Sequence, residues 1–388
     1  MFDVLEPSQV SLHRHTRLAT TTAVNPELKH KLAQVRALMK AQKAEGALIG
    51  RQANFSWLAC GGEAHVALIS ERAVGQLLVT PKKVFLLTNR IELGRLQDEA
   101  ARGLDAAPLL YEWFDDQAAA KKLRKIADPR RVLSDTGDFG TRAVPELFAP
   151  LRYALHPAEI KRLREVCRRA ESAMNLTCRA IKPGMSENAI AGFLGEACWL
   201  LDATPVVTLI AADERIRRYR HPLPTKKKLK RHVMLVLCAR QSGLIVSLTR
   251  LVHFGKLPAE LRRRQQAVVT VDAAFICNTR VGTPVREIFR RGLAAYAEQG
   301  FADEWKFHHQ GGPCGYQARD YVGTPAAPGV VLENQAYAWN PSITGTKSED
   351  TILATTKGPE ILTAARDWPM LEAHCDGETV FRPDILVR

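Results

Sequence analysis

The sequence predicts two domains, an α/β domain in residues 1–152 and an α+β domain in residues 153–388. A chain of 388 residues with 46% hydrophobic residues can bury a full core and is long enough for two or three domains. Short β-type runs alternate with helical spacing in the first 150 residues, whereas pairs of helical segments alternate with groups of strands later. Between these parts, Pro150 and His156-Pro157 interrupt the pattern and mark the boundary.

The N-terminal part reads as a three-layer α/β unit. Residues 1–26 are expected to form an irregular arm, and apolar residues then recur at helical spacing in residues 27–45. Helical spacing returns at 91–101 and 116–126. The predicted strands are the short apolar runs 47–49, 66–69, 76–80, 83–88 and 132–134.

The C-terminal part combines two helix pairs with two groups of strands. Lys182-Pro183-Gly184 ends the first helix, and Ser186 is the expected N-cap of the second. The predicted helices are 158–181, 186–201, 258–273 and 284–299. The predicted strands are 206–210, 233–238, 243–249, 335–339 and 351–355.

Composition and charge exclude several classes of protein. No run approaches the roughly 18 apolar residues of a membrane span, and the start lacks the apolar stretch of a signal peptide, so a cytoplasmic protein without a membrane partner is expected. The eight cysteines form no CxxC pair, which favours reduced side chains. The net charge of +14 is dispersed and accompanies no nucleic-acid-binding motif, so nucleic acid is not expected as a partner.

Residues able to do chemistry are concentrated between Phe307 and Asp350. This stretch contains FHHQGGPCGYQARDY, QAYAWNPSITG and TKSEDTIL. Histidines, an arginine, acids, aromatic residues and many glycines between apolar strand-like runs are typical of a walled active site. The sequence therefore places the candidate active site here.

The order of motifs along the chain carries a family resemblance. It runs through HPAEIKRLREV, IKPGMSE, RHPLPT, GLIVSLTR, HHQGG, WNPSITG and KSEDTIL. This order resembles the creatinase, prolidase and aminopeptidase P family, known as M24. The resemblance implies an α+β catalytic domain of the pita-bread type behind an N-terminal α/β domain. It also implies a homodimer.

Most members of that family hold two divalent metals with two Asp, one His and two Glu, ligands suited to Mn, Co or Zn. Placed residue by residue on this sequence, four of the five ligand positions hold other residues, and only Glu349 retains its acid. The other four positions hold Val236, Ser247, Gly312 and Asn340. Neither a metal nor another cofactor is therefore expected. A single metal on His308, His309 and Glu349 is the lesser alternative.

Outside the ligand positions, a consistent polar set remains. His221, in YRHPLPT, stands where relatives keep a substrate-facing histidine, and creatinase uses the corresponding histidine as a general acid/base without metal. An imidazole is the natural proton carrier at neutral pH. A loop histidine satisfied by the backbone is the plain alternative. We expect His308, at the start of the family's H-x-x-x-H run, to stabilise developing charge together with the glycines that follow it.

Arg319 and Glu349 complete the predicted catalytic arrangement. The guanidinium of Arg319 is expected to hold a substrate carboxylate, with a salt bridge to Asp320 or Glu349 as the alternative. Glu349, on a buried strand without metals, should pair with Arg319, His221 or a cationic substrate group, because an unpaired buried carboxylate is costly. Further substrate contacts are expected from His309, Tyr316, Trp339, Asn340 and Ser247.

Three classes of function remain open on the sequence. The first is a metal-independent hydrolase of a C–N bond in a small, carboxylate-bearing substrate, with His221 as general acid/base. The second is an inactive peptidase relative that binds a peptide, a protein or a nucleic acid, which the net charge of +14 would suit. The third is a lyase or isomerase of specialised metabolism on the same fold.

Overall fold

The computed structural model describes residues 25–364 and 367–388. In the first part of the chain the helices are α1 Pro26–Ala41, α2 Gln52–Leu58, α3 Leu93–Arg95, α4 Asp116–Arg124 and α5 Pro145–Phe148. The strands are β1 Gly46–Arg51, β2 Arg72–Val79, β3 Val84–Asn89, β4 Ala106–Tyr111, β5 Val132–Ser134 and β6 Arg142–Ala143. These strands form one mixed sheet in the order β4-β3-β2-β1-β5-β6.

Apolar side chains project from both faces of this sheet. Leu48 and Leu78 point to one face, where Leu123 of α4 packs on them, whereas Ile49 and Leu77 point to the other face. Neighbouring residues of a strand face opposite sides, so alternating apolar positions on both sides need a helix layer on each. The three-layer α/β arrangement predicted from the sequence is confirmed.

The second part of the chain carries two helix pairs and two four-stranded sheets. The helices are α6 Pro157–Ala180, α7 Glu187–Leu200, α8 Glu214–Arg218, α9 Ala259–Cys277 and α10 Val285–Glu298. The strands are β7 Thr204–Ala212, β8 His232–Gln241, β9 Leu244–His253, β10 Gly311–Cys314, β11 Ala336–Trp339, β12 Ser342–Ile343, β13 Thr346–Lys347, β14 Asp350–Thr355, β15 Gly358–Ile361, β16 Met370–Cys375, β17 Glu378–Pro383 and β18 Leu386–Val387. The larger sheets have the orders β18-β9-β8-β7 and β10-β11-β14-β15.

The two four-stranded sheets meet where β9 runs beside β14. The amide of Thr249 donates to the Glu349 carbonyl at 3.1 Å, and the amide of Ser247 donates to the Thr351 hydroxyl at 2.8 Å. Both helix pairs pack against the outer faces of these sheets. The polar residues Ser247, Thr249 and Glu349 therefore lie at the junction of the two sheets.

Most predicted elements are present with ends shifted by a few residues, and one is wrong. Residues 66–69 form a loop without strand pairing, and Val66 and Ile69 are exposed. The stretch 91–101 forms one short α-turn followed by a π-helical turn at Leu96–Ala100. The predicted N-terminal arm lies almost wholly outside the described residues. The domain boundary after residue 152 stays a prediction, because one apolar cluster extends from Leu28 to Trp368.

A buried charge cluster ties the first helix to the second part of the chain. The ammonium of Lys31 contacts the carboxylates of Glu27 at 2.6 Å and Glu159 at 2.7 Å, and it is 1% exposed. Arg162 also binds Glu27, and the Tyr316 hydroxyl donates to Glu159. The cluster thus joins α1, α6 and the glycine-rich segment after β10.

Replacing Lys31 with methionine should lower the free energy of unfolding by about 3 kcal/mol, because breaking a buried pair leaves an uncompensated charge. Urea denaturation measures this change. Lys29→Met, on the exposed side of the same helix, should change stability by less than about 0.5 kcal/mol. Equal effects of the two substitutions would contradict the role assigned to the cluster.

Candidate active site

Glu349 lies between two cations at the junction of the sheets. Its carboxylate contacts the ammonium of Lys347 at 2.8 Å and the guanidinium of Arg319 at 3.1 Å, and it accepts from the Thr249 hydroxyl at 2.7 Å. Glu349 is 2% exposed and Lys347 is 4% exposed. Of the pairings predicted for Glu349, the structure contains the one with Arg319. Asp320, the other candidate partner of Arg319, pairs with Arg152.

The surroundings of Glu349 keep it ionised. Burial alone would raise the pKa of Glu349, but the charges of Lys347 and Arg319, with hydrogen bonds from Lys347 and Thr249, hold that pKa at about 2. The trio of Glu349, Lys347 and Arg319 therefore carries a net charge of +1 at neutral pH. The guanidinium also reaches the Ser247 hydroxyl at 3.3 Å, and its buried Nε has no partner in the described part of the chain.

Three histidines meet beside this trio. The Nε2 atoms of His221 and His308 are 3.0 Å apart, and the rings of His308 and His309 stack with centroids 4.6 Å apart. Adjacent residues of a strand face opposite sides, so on a strand only one of these two histidines could line a pocket. Both line one cavity, because β10 begins only at Gly311 and the backbone before it is irregular.

Burial keeps the three imidazoles neutral at neutral pH. Burial, and then the charge of Lys347, lowers the pKa of His221 and drives the pKa of His308 far below its ordinary range. Burial and Arg319 lower the pKa of His309 to about 4. A neutral imidazole has one nitrogen free to accept a proton. His221 and His309 are exposed and His308 is buried, so a substrate can reach the rings of His221 and His309 but not that of His308.

Arg220 fixes the loop that carries His221. Its guanidinium bonds the Glu304 carboxylate at 2.6 Å and the Thr344 hydroxyl at 3.0 Å. Glu304 begins the single turn that leads into His308. This pairing joins the His221 loop to the His308 segment, which are 87 residues apart in sequence.

The glycines after His309 are packed too closely for side chains. A Cβ at Gly311 would lie 2.1 Å from the Ala338 carbonyl oxygen, and one at Gly312 would lie 2.5 Å from the Tyr321 carbonyl oxygen. Both residues also have positive φ angles, of 91° and 153°. The Gly311 amide, predicted to stabilise developing charge, donates instead to Nδ1 of His309.

Replacing Gly312 with alanine should therefore lower the free energy of unfolding by about 2 kcal/mol, because the backbone of β10 must move away from Tyr321. Thermal and urea unfolding measure it. Gly192 is the matched control, since it lies inside α7 with open space around its Cβ position, and Gly192→Ala should stabilise by about 0.5–1 kcal/mol. Stabilisation by both substitutions would contradict the close packing at Gly312.

The remaining predicted site residues have different surroundings. Trp339 lies in the core, where its ring stacks on Phe275 and its Nε1 donates to the Thr279 hydroxyl, so it does not form a pocket wall. Tyr316 is 3% exposed and lines a cavity, while its hydroxyl is engaged by Glu159. Asn340 is 3% exposed, and its side-chain oxygen has no partner among the described residues.

The histidines and Arg319 open onto different cavities. His308 and His309 line a cavity of about 360 Å³ with aromatic walls from Phe289 and Trp305. Arg319 lines a cavity of about 300 Å³ together with Arg51 and Arg240. The predicted single pocket is thus divided in the described structure. A separate void of about 10 Å³ is lined by both His308 and Lys347, and it has roughly the volume of one water.

Lys347 and Thr249 are functional candidates that the sequence reasoning missed. Both lie on strands, two residues away from a position that the sequence had already singled out. Lys347 precedes Glu349 by two residues, and Thr249 follows Ser247 by two. Residues at this spacing share a face of a strand. That signal could have placed the lysine ammonium beside the surviving acid.

Two cysteines near the site are inert. Burial raises the pKa of Cys314 to about 12, and burial also raises the pKa of Cys238, whose thiol contacts the Ser247 hydroxyl at 3.3 Å. A thiol of such high pKa is not a nucleophile at neutral pH. No disulfide is present among the described residues.

An α/β domain followed by helix pairs on two joined sheets, with a polar site at the join, defines the class of two-domain pita-bread proteins. A sequence model described as metallopeptidase family M24 matches residues 161–356, just over half of the 388 residues. The chain belongs to this family. Within the described residues, no helix is both long and apolar enough to cross a membrane.

Relatives and solved structures agree with this assignment. An uncharacterized peptidase of Staphylococcus saprophyticus is 20% identical over 351 residues, which cover 86% of this chain and 99% of the relative. The Xaa-Pro dipeptidase from Bacillus anthracis has a TM-score of 0.72 at 16% identity and covers 93% of this chain and 100% of its own. The N-terminal domain of FACT complex subunit SPT16 from chickpea (Cicer arietinum) has a TM-score of 0.65 at 10% identity, covering 87% and 96%.

The two divalent metals implied by the family resemblance do not fit the residues present. At the first position Val236 is 3% exposed within an apolar cluster. At the third, Gly312 has no room for a histidine. Ser247 and Asn340 offer only neutral oxygens. Together with one carboxylate, these groups cannot balance four positive charges.

The surviving acid is also already engaged. Both carboxylate oxygens of Glu349 contact cationic groups, one from Arg319 and one from Lys347. These side chains supply fixed positive charge beside the acid that would otherwise bind a dication. The family's metal centre therefore disagrees with this chain both in the missing ligands and in the engagement of the remaining acid by two cations.

Proposed function

We propose that the chain is a hydrolase of a C–N bond in a small, carboxylate-bearing substrate and that it works without the family's two-metal centre. The observation that carries this proposal is the placement of Glu349 between Lys347 and Arg319. Their ammonium and guanidinium groups provide the positive field that a metal pair supplies in other members. Membership of a peptidase family supports hydrolysis of an amide-like bond.

The charge of the site supports an anionic group on the substrate. The trio of Glu349, Lys347 and Arg319 has a net charge of +1, and a substrate carboxylate would bring it to zero. The cavity beside Arg319 is also lined by Arg51 and Arg240. Arginine binds carboxylates through paired N–H groups, and the unpartnered Nε of Arg319 is one such donor.

His221 carries the proton in this proposal. Its neutral ring takes a proton from the attacking water, and the imidazolium then gives that proton to the leaving nitrogen. His308, held neutral by burial, bonds Nε2 of His221 and fixes the orientation of the ring.

A substrate panel tests the proposal. Protein that has been dialysed against EDTA is incubated with Xaa-Pro dipeptides, N-acyl amino acids and guanidino acids, and the release of amine is followed by mass spectrometry. We expect turnover of at least one carboxylate-bearing compound, at a rate unchanged by EDTA. Activity that disappears with EDTA and returns with two equivalents of manganese would contradict the metal-independent mechanism.

A partner-binding role is the second candidate. It is favoured by the exposed basic residues Lys226, Lys228, Lys230 and Arg231 outside the cavities, and by the likeness in fold to the SPT16 domain. Binding to an acidic partner through this stretch would weaken steeply as the salt concentration rises. The homodimer and the cytoplasmic location that the sequence predicts are further proposals, and light scattering of the purified protein tests the first of them.

A further inference from the structure

The three histidines form a cluster with the composition of a metal site. One ring nitrogen from each of His221, His308 and His309 lies within 4.8 Å of the other two. The ring centroids of His221 are 4.9 Å from His308 and 5.6 Å from His309. None of these residues occupies a ligand position of the family's two-metal centre. The cluster is therefore a separate arrangement of donors.

The nitrogens are near the spacing that one ion requires. Two imidazole nitrogens at 2.0–2.1 Å from a tetrahedral zinc are about 3.3 Å apart. The two Nε2 atoms of His221 and His308 are 3.0 Å apart. All separations among the three donor atoms are within 4.8 Å, so a pair at that limit must close by about 1.5 Å. Rotation of His221 and His309 can supply this closure, because both are exposed whereas His308 is buried.

The chemistry of the cluster selects the class of ion. Three imidazoles without a carboxylate suit zinc, copper or nickel and are poor ligands for magnesium or calcium, which require oxygen. His308 and His309 face the cavity of about 360 Å³, which leaves room for solvent at a fourth position. The charge of Lys347 nearby is offset by its contact with Glu349.

We propose that His221, His308 and His309 bind one borderline transition-metal ion, such as Zn²⁺, and that its binding switches the hydrolase off. The inhibitory part rests on the proposed function, because an ion on His221 occupies the lone pair that takes the proton. The binding part stands on the histidine geometry alone.

Metal titration tests the binding part without any substrate. Untagged, EDTA-treated protein is titrated with Co²⁺, followed by visible absorption, and then with Zn²⁺, with bound metal measured after desalting. We expect one ion per chain. His221→Ala and His309→Ala should each weaken zinc binding by more than the roughly 10–100-fold loss seen for outer-shell contacts. His374→Ala, an exposed histidine distant in sequence, should leave it unchanged.

Zinc binding that is absent, or equal in wild type and both cluster variants, would overturn the site. Circular dichroism of each variant confirms that it folds, which is expected because both altered side chains are exposed. With a substrate from the panel, one equivalent of zinc should abolish turnover, and full turnover by zinc-loaded protein would overturn the switch. If zinc binds to the cluster but no compound is turned over, the metal site stands and the hydrolase proposal fails.

Discussion

Replacing His221 with alanine is expected to lower kcat/KM by about 10²–10⁴-fold, the usual contribution of general acid–base catalysis. The side chain is exposed and makes its polar contact with the imidazole of His308, so the fold should be unchanged. Circular dichroism and thermal unfolding check this. His374→Ala serves as the control for loss of an exposed imidazole and should keep wild-type kinetics.

The pH profile of the wild type should identify the same residue. Burial and Lys347 lower the pKa of His221 from its ordinary value of 6.5, so its basic form dominates above pH 6.5. The rate should therefore fall only as the pH drops below 6.5. Titration of His221 should not change the rate at neutral pH. An acid limb centred above pH 6.5, or full activity in His221→Ala, would remove His221 from the mechanism.

The fold was accessible from the sequence because its signals are local. The apolar spacing of α6, the Lys182-Pro183-Gly184 stop and the apolar runs of β8 and β9 each indicate one element. The 66–69 run failed because its apolar residues lie exposed in a loop, which periodicity over four residues cannot reveal. Its β-type composition had no partner strand to pair with.

The candidate site was only partly accessible, because its key contacts join residues far apart in the chain. Lys347 was overlooked although it lies only two residues before Glu349. The Arg220–Glu304 pair, which joins the His221 loop to His308, could not be read from either segment alone. Trp339 and Gly312 illustrate the opposite failure. Their residue types suggested a pocket, but the packing of neighbouring residues places Trp339 in the core and leaves no space beside Gly312.

Replacing Glu349 with glutamine is expected to lower the free energy of unfolding by about 3–5 kcal/mol, as in other broken buried ion pairs. The amide leaves Lys347 and Arg319 facing each other without a counter-charge, and these are 4% and 13% exposed. The pKa of about 2 gives a similar magnitude, since a shift of about 2.5 from 4.5 corresponds to about 3 kcal/mol. Urea denaturation at neutral pH measures it.

The control and the pH dependence make this test specific. Glu287→Gln removes a carboxylate from an exposed helical pair with Arg290 and should leave the free energy of unfolding almost unchanged. Because the folded pKa of Glu349 is depressed, its contribution is present above pH 4.5 and is lost as the pH falls towards 2. The stability difference between wild type and Glu349→Gln should therefore shrink over that range.

Adding Lys347→Met to Glu349→Gln should recover part of the lost stability, because one of the two unpaired cations is removed. The double variant should nevertheless remain inactive, since the field at the reacting bond needs both cations around the carboxylate. If the single Glu349→Gln variant is as stable and as active as wild type, the trio is neither a structural centre nor the substitute for the missing metals.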